Sequence, residues 1–274
     1  MKMVELLEIL KQQKDWKRAS KVAMHLPKPQ RIEELEMILR KCVEEGRIGE
    51  AIETAKLLKR KLKPEELEMI LIKCIEMGKL REAKKTAELL NRELKTEEIE
   101  MILMKYIEEG GLSEAREIAA KFLNRELKTE ELEMILIKCI EKGQLIMATD
   151  AAELLPEPQR SRWLEMILIK CIEDGWLNGA IATARLLNRR LETKDYEMML
   201  IKCVEKEDSF WFYSAIQLAE LLPEPQRSKG LETILIKCIE KWGLDGAKEI
   251  ANLICGPLRR EYLEILKEYL KILE

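Results

Sequence analysis

Hydrophobic positions recur along this chain at helical spacing, and the helical segments recur in their turn. The run Leu-Glu-Met-Ile-Leu-Ile-Lys-Cys-Ile-Glu stands unchanged at 67–76, 132–141 and 164–173. Looser copies begin at Leu35, Ile99, Tyr196 and Leu231, and Val4-Glu5-Leu6-Leu7 is an eroded first copy, so the period is 32 to 35 residues. Within one copy, Leu132, Ile135, Leu136, Cys139 and Ile140 follow the helical period and predict a helix, A, that stops near Gly143, where left-handed backbone costs little. Leu145, Ala148, Ala152 and Leu155 then predict a second helix, B, whose small-residue stripe permits close approach before Pro156 ends it. The same stripe recurs as Leu80, Ala83, Ala87, Leu89, Leu90 and as Leu177, Ala180, Ala184, Leu186, Leu187.

A unit of this length cannot bury its apolar face alone, and stacking on the next unit solves that problem. The expected fold is all-α: a right-handed α-solenoid of about eight antiparallel helix hairpins, at 2–33, 34–65, 66–97, 98–130, 131–162, 163–194, 195–229 and 230–259. Residues 261–274 read as a C-terminal capping helix, and the whole chain, 1–274, as one domain. Connectors between hairpins are of two kinds, Leu-Pro-x-Pro-Gln-Arg (26–31, 155–160, 222–227) and Asn-Arg-x-Leu (91–94, 124–127, 188–191).

Composition narrows the function classes. With 47% hydrophobic and 36% charged residues the chain has ample material for a core. Forty-eight basic against fifty-one acidic residues leave a formal charge of -3, which offers no global attraction to phosphate backbones or anionic lipid. No apolar run approaches the roughly 18 residues of a membrane span, and acids interrupt the N-terminus, so a soluble, cytoplasmic chain is expected. Six of the seven cysteines (Cys42, Cys74, Cys139, Cys171, Cys203, Cys238) hold the same place in successive copies. One per helix, without any Cys-x-x-Cys, they fit small buried hydrophobes better than a metal site or a disulfide framework.

The helix-turn-helix unit, with Gly at its turn (Gly78, Gly143, Gly175) and Ala early in helix B (Ala83, Ala148, Ala180), resembles the tetratricopeptide and pentatricopeptide repeat group over nearly the whole chain. That resemblance implies an α-solenoid whose A helices line a concave surface. It does not carry over the peptide-carboxylate clamp, because helix A has Leu136 and Cys139 where tetratricopeptide units place a small residue and an aromatic. A pentatricopeptide relationship would imply RNA binding through polar residues that vary between units. Here the Glu column at 36, 68, 100, 133, 165, 197 and 232 is uniform and repels phosphate, so protein binding ranks above RNA binding.

On a helical wheel of about 100° per residue, Met134 and Ile137 fall away from the core face of helix A. Their equivalents form a candidate groove of Met69, Ile72, Met101, Met104, Met134, Ile137, Met166, Ile169, Met198 and Ile201, flanked by Glu76, Glu108, Glu141, Glu173 and Glu205. Such a strip suits an amphipathic helix with basic edges, although helices packed all round would make the same columns core. The Lys column at 41, 73, 105, 138, 170, 202 and 237 is expected to meet Glu of the next helix in a structural ladder. A second candidate is an aromatic edge, Trp176, Phe210, Trp211, Tyr213 and Trp242, around an insertion in the seventh unit. It would anchor a partner or a second copy, or cover Phe212 locally.

No catalytic, cofactor or metal site is expected: His25 is the only histidine, and no Gly-rich phosphate loop is present. The expectation is a non-catalytic scaffold for a protein or peptide. Near-identical copies rich in Lys and Glu point to a hyperthermophile protein or an engineered repeat, while the cysteines and uneven connectors run against idealised design.

Overall fold

A computed structural model of the chain describes residues 2–206 and 210–239, together with Ala247, Ile250 and Leu253. The described residues are all-α: fifteen helices and no strand. They belong to two compact units, residues 1–135 and 136–274, and the boundary falls within one helix, α9 (Thr129–Glu141). None of the described helices is long and apolar enough to cross a membrane.

The first unit holds the pairs α1 (Lys2–Gln12) with α2 (Trp16–Ala23), α3 (Lys28–Glu44) with α4 (Ile48–Leu57), α5 (Pro64–Glu76) with α6 (Leu80–Leu89), and α7 (Thr96–Glu108) with α8 (Leu112–Phe122). The A helices of successive pairs also touch, α3 on α5 and α5 on α7. In the second unit α10 (Leu145–Glu153) precedes α11 (Gln159–Glu173) paired with α12 (Leu177–Leu186), then α13 (Thr193–Glu205) paired with α14 (Phe210–Leu221), and α15 (Gln226–Lys237). Here α11 lies on α13 and α13 on α15. Apart from Ala247, Ile250 and Leu253, the second helix expected in the eighth hairpin lies outside the described residues, as does the capping helix at 261–274.

Each A helix buries the columns that its period marks. Leu67, Ile70, Leu71, Cys74 and Ile75 are buried in α5, as are Leu164, Ile167, Leu168, Cys171 and Ile172 in α11. In the B helices the stripe alanines Ala83, Ala87, Ala148, Ala152, Ala180 and Ala184 are buried, but Leu89 and Leu186, expected in the same stripe, are exposed. Two positions beyond Ala87 lies about 200° around the helix, so the core face is completed by Thr86 and Thr183 instead. Each buried threonine hydroxyl donates to a carbonyl one turn back, Thr86 to Glu82 at 2.7 Å and Thr183 to Gly179 at 2.9 Å.

The turn from A to B is fixed by a left-handed glycine. Gly78 (φ +67°) lets Lys79 N–H reach the Cys74 carbonyl at 2.8 Å, and the same bond recurs from Arg47, Gly111, Gln144 and Trp176. At Gly46, Gly78 and Gly175 the missing side chain also permits close approach of the next repeat. A Cβ on Gly46 would lie 2.9 Å from Lys73 Cβ, and one on Gly175 would lie 3.0 Å from Cys203 Sγ. The thiols of Cys74 and Cys203 in turn donate to the carbonyls of Gly46 and Gly175 at 3.4 and 3.3 Å. Burial pushes the Cys42 thiol up to about 12 and those of Cys74, Cys171 and Cys203 to about 11, so these side chains are neutral, unreactive packing groups.

Connectors of the second kind place an arginine. Asn91, Asn124 and Asn188 take positive φ, which asparagine tolerates better than most residues, and Lys59 does the same before Arg60. Arg92 then grips Glu98 through two bonds of 2.9 and 2.8 Å and reaches Glu68 of the preceding A helix at 3.5 Å. Glu98 also accepts from the Lys95 N–H at 2.8 Å, which caps α7. Arg60 joins Glu66 and Glu36 in the same way, and Arg125 joins Glu131 and Glu100.

Gly175→Ala and Gly143→Ala separate the two tasks of the turn glycine, because both have φ near +70° but nothing lies within 4 Å of a Cβ at Gly143. Urea unfolding should show both destabilised by roughly 1–2 kcal/mol for the left-handed backbone, with a further loss of about 1 kcal/mol for Gly175→Ala from crowding. Equal losses would remove the packing role.

The arginine bonds hold the Glu66 and Glu98 carboxyls below the ordinary carboxylate range. A lowered folded-state pKa contributes stability at neutral pH that disappears as pH falls through the lowered value. Arg92→Gln should therefore cost about 1–2 kcal/mol at pH 7, and its gap from the parent should narrow as pH drops below about 4. A gap that does not change between pH 7 and pH 2.5 would contradict this.

Candidate functional site

The Met/Ile columns lie on the solvent side of the A helices. Met69, Ile72 and Met101 in the first unit, Met134 and Ile137 on α9, and Met166, Ile169, Met198 and Ile201 in the second unit are 39 to 56% exposed. Met104 is half-buried. Their immediate neighbours in sequence, Ile70 and Leu71, are fully buried, so helix A has two apolar faces and only one enters the core. Since α5 lies beside both α3 and α7, the columns of α5 and α7 form an apolar band two side chains wide in the first unit, which narrows on α3 to half-buried Met37 because Arg40 stands at the place of Ile72. In the second unit a comparable band covers α11 and α13 and continues on α15 through Ile236 alone, with Thr233 at the methionine place.

The flanking acids Glu76, Glu108, Glu141, Glu173 and Glu205 are exposed, but four of them are neutralised within their own helix. Lys105 pairs with Glu108 at 2.6 Å, Lys138 with Glu141 at 2.6 Å and Lys202 with Glu205 at 2.7 Å, with Lys73 and Glu76 alike. In α11, Lys170 turns to Asp174 at 3.0 Å and leaves Glu173 without an ion pair. This corrects the expected ladder from lysine to the next helix. A lysine three residues before a glutamate on the same face meets it with no demand on helix spacing. In the first unit the glutamates at 36, 68 and 100 are served by the connector arginines.

The aromatic edge divides into separate settings. The Trp176 ring lies against the backbone of Gly179, where a Cβ would come within 2.0 Å of it. Trp176 also lines an apolar cavity of about 310 Å³ with Leu145, Ile146 and Met147. Trp211 lies beneath Lys206, whose Nζ is 3.4 Å from the ring centroid and donates to the Asp174 carbonyl at 2.6 Å. Phe212 is buried and Tyr213 is 63% exposed, with their rings edge-on at 5.2 Å. Trp242 and the side chain of Phe210 lie outside the described residues.

A larger cavity of about 740 Å³ opens beside the turns of the first unit, where Lys14, Arg47, Lys79, Arg81 and Lys85 face Glu45, Glu50 and Glu82. Its mixed charge favours neither sign of ligand strongly. No cluster of three or more His, Cys, Asp or Glu side chains among the described residues is placed to hold a metal ion.

Met69→Glu with Ile72→Glu should leave the urea midpoint nearly unchanged, within about 0.5 kcal/mol per site, because both side chains already meet water. Ile70→Glu, one position away, should cost several kcal/mol by burying an unpaired carboxylate. Comparable losses in the two variants would place the band in the core. Comparison with protein-family models, with curated proteins and with solved structures finds no match to this chain.

Proposed function

We propose that this chain is a non-catalytic helical-repeat scaffold, a right-handed α-solenoid of eight hairpins and a cap related in form to tetratricopeptide repeats, that binds an amphipathic helix of a partner protein. The observation that carries this is the apolar band: methionine and isoleucine half-exposed at the same position of consecutive A helices, where solvation alone would favour polar residues. Methionine adapts its shape to different partners, and a stripe crossing several parallel helices accepts another helix laid across them.

The magnitudes suit a reversible partner. Burying a half-exposed Met or Ile yields about 1 kcal/mol, and five such side chains with the partner's matching stripe yield about 10 kcal/mol. Association costs at least about 4 kcal/mol, which leaves a dissociation constant of about 40 µM. The uniform glutamate columns disfavour RNA as the ligand.

The test uses the full chain and a labelled model helix of about 18 residues with a Leu/Met stripe, long enough to cross three helices at 8–10 Å spacing. Fluorescence anisotropy should show saturable binding in the range 10–100 µM. Met69→Glu with Ile72→Glu should weaken it at least fivefold while the fold remains intact. Absence of binding at about 1 mM would refute the proposal.

A further inference from the structure

We infer that the first unit, rather than the second, is the seat for a helix with a basic edge, and that Glu33, Glu65 and Glu97 select it. This rests on the reading of the band as a docking surface and names the chemistry of what it takes. Each of these glutamates stands one helical turn before the band methionine of its helix, four residues ahead of Met37, Met69 and Met101. All three are exposed and none carries an ion pair.

Their freedom sets them apart from the other acids of α3, α5 and α7. Glu36, Glu68 and Glu100 face Arg60, Arg92 and Arg125. Glu44, Glu76 and Glu108 are held by the lysine three residues earlier on the same helix. A ligand lysine approaching those carboxylates must displace a partner already in place, whereas one approaching Glu33, Glu65 or Glu97 meets an unshared charge.

The second unit reverses the sign at the same register. Arg162 and Lys194 stand four residues ahead of Met166 and Met198, and Lys229 occupies the equivalent place on α15; all three are exposed, Lys194 is paired with Glu192 at 2.9 Å, and the acids there without an ion pair, Glu165, Glu173 and Glu197, stand outside this register. Hydrophobic burial cannot single out the first unit, which exposes Met69, Ile72 and Met101 where the second exposes Met166, Ile169, Met198, Ile201 and Ile236. The border charge can, since like charges across a contact reject the wrong partner. The occupant of the first unit is therefore a partner helix whose apolar stripe is bordered on one side by Lys or Arg.

Two labelled model helices of the same Leu/Met stripe, one edged with lysine and one with glutamate, test this on the full chain by anisotropy and titration calorimetry. The lysine-edged helix should bind once per chain and more tightly than the glutamate-edged one. Glu33→Lys, Glu65→Lys and Glu97→Lys together should weaken it at least tenfold, and the corresponding Glu→Gln set, which adds no charge, several-fold. Glu44→Gln, Glu76→Gln and Glu108→Gln together should change it less than twofold. Arg162→Glu, Lys194→Glu and Lys229→Glu together should raise the stoichiometry from one to two. Equal binding of the two helices, indifference to the Glu33, Glu65 and Glu97 substitutions, or a stoichiometry that stays at one after the second-unit exchange would overturn the inference while leaving the docking surface in place. Failure of both helices to bind would remove the docking surface itself.

Discussion

The described structure depends on a close contact between the turn glycine of one hairpin and the A helix of the next. Gly46 and Gly175 take a left-handed conformation that ends helix A, and Lys73 and Cys203 stand only about 3 Å from where a Cβ on each glycine would lie. That approach brings consecutive A helices into register, and register turns a side chain repeated in sequence into a column in space. The thiol suits the joint because it is small, apolar and able to donate weakly to the glycine carbonyl. Where Tyr106 replaces the cysteine, a second glycine, Gly111, follows in the turn, and a Cβ there would lie 3.4 Å from the Tyr106 carbonyl and 3.5 Å from its ring.

Polar groups lock this register. In the first unit the connector arginines Arg60, Arg92 and Arg125 pair with the glutamate that caps the next A helix and extend to a glutamate of the one before, so one guanidinium ties three consecutive elements. Each pair is only partly exposed, which reduces solvent screening, and the two parallel bonds fix orientation as well as distance. With the core face and the ion pairs both committed to register, the outer face of helix A is left without a structural task. Its methionines and isoleucines are then the part of the repeat that packing does not require.

Much of this could be read in the chain. Helix period, turn glycine and cysteine column all follow from local rules of spacing, and the pairing of Ile135 with Leu136 on the core face follows from the wheel alone. Side-chain partners did not follow, because charge pairing depends on which competing neighbour lies nearest. Lys105 has Glu108 within its own helix and takes it before any residue of another hairpin. The role of Arg92 depends on the left-handed Asn91, which redirects the chain. The contact of Trp176 with Gly179 is likewise a local fold-back that no periodic pattern encodes. Exposure of the Met/Ile columns was open in the sequence, since a helix with neighbours on three sides would bury them.

The adjacent residues Met198 and Met199 give the most direct test of the two-faced A helix. They share chemistry and local sequence, yet Met198 is 47% exposed on the band and Met199 is fully buried. Hydroxyl-radical footprinting of the native chain, read by mass spectrometry, measures both in one peptide. Met198 should oxidise at least tenfold faster than Met199, with the difference lost in urea. Equal rates in the native state would mean that the methionine columns are core, and the apolar band would not exist as a surface.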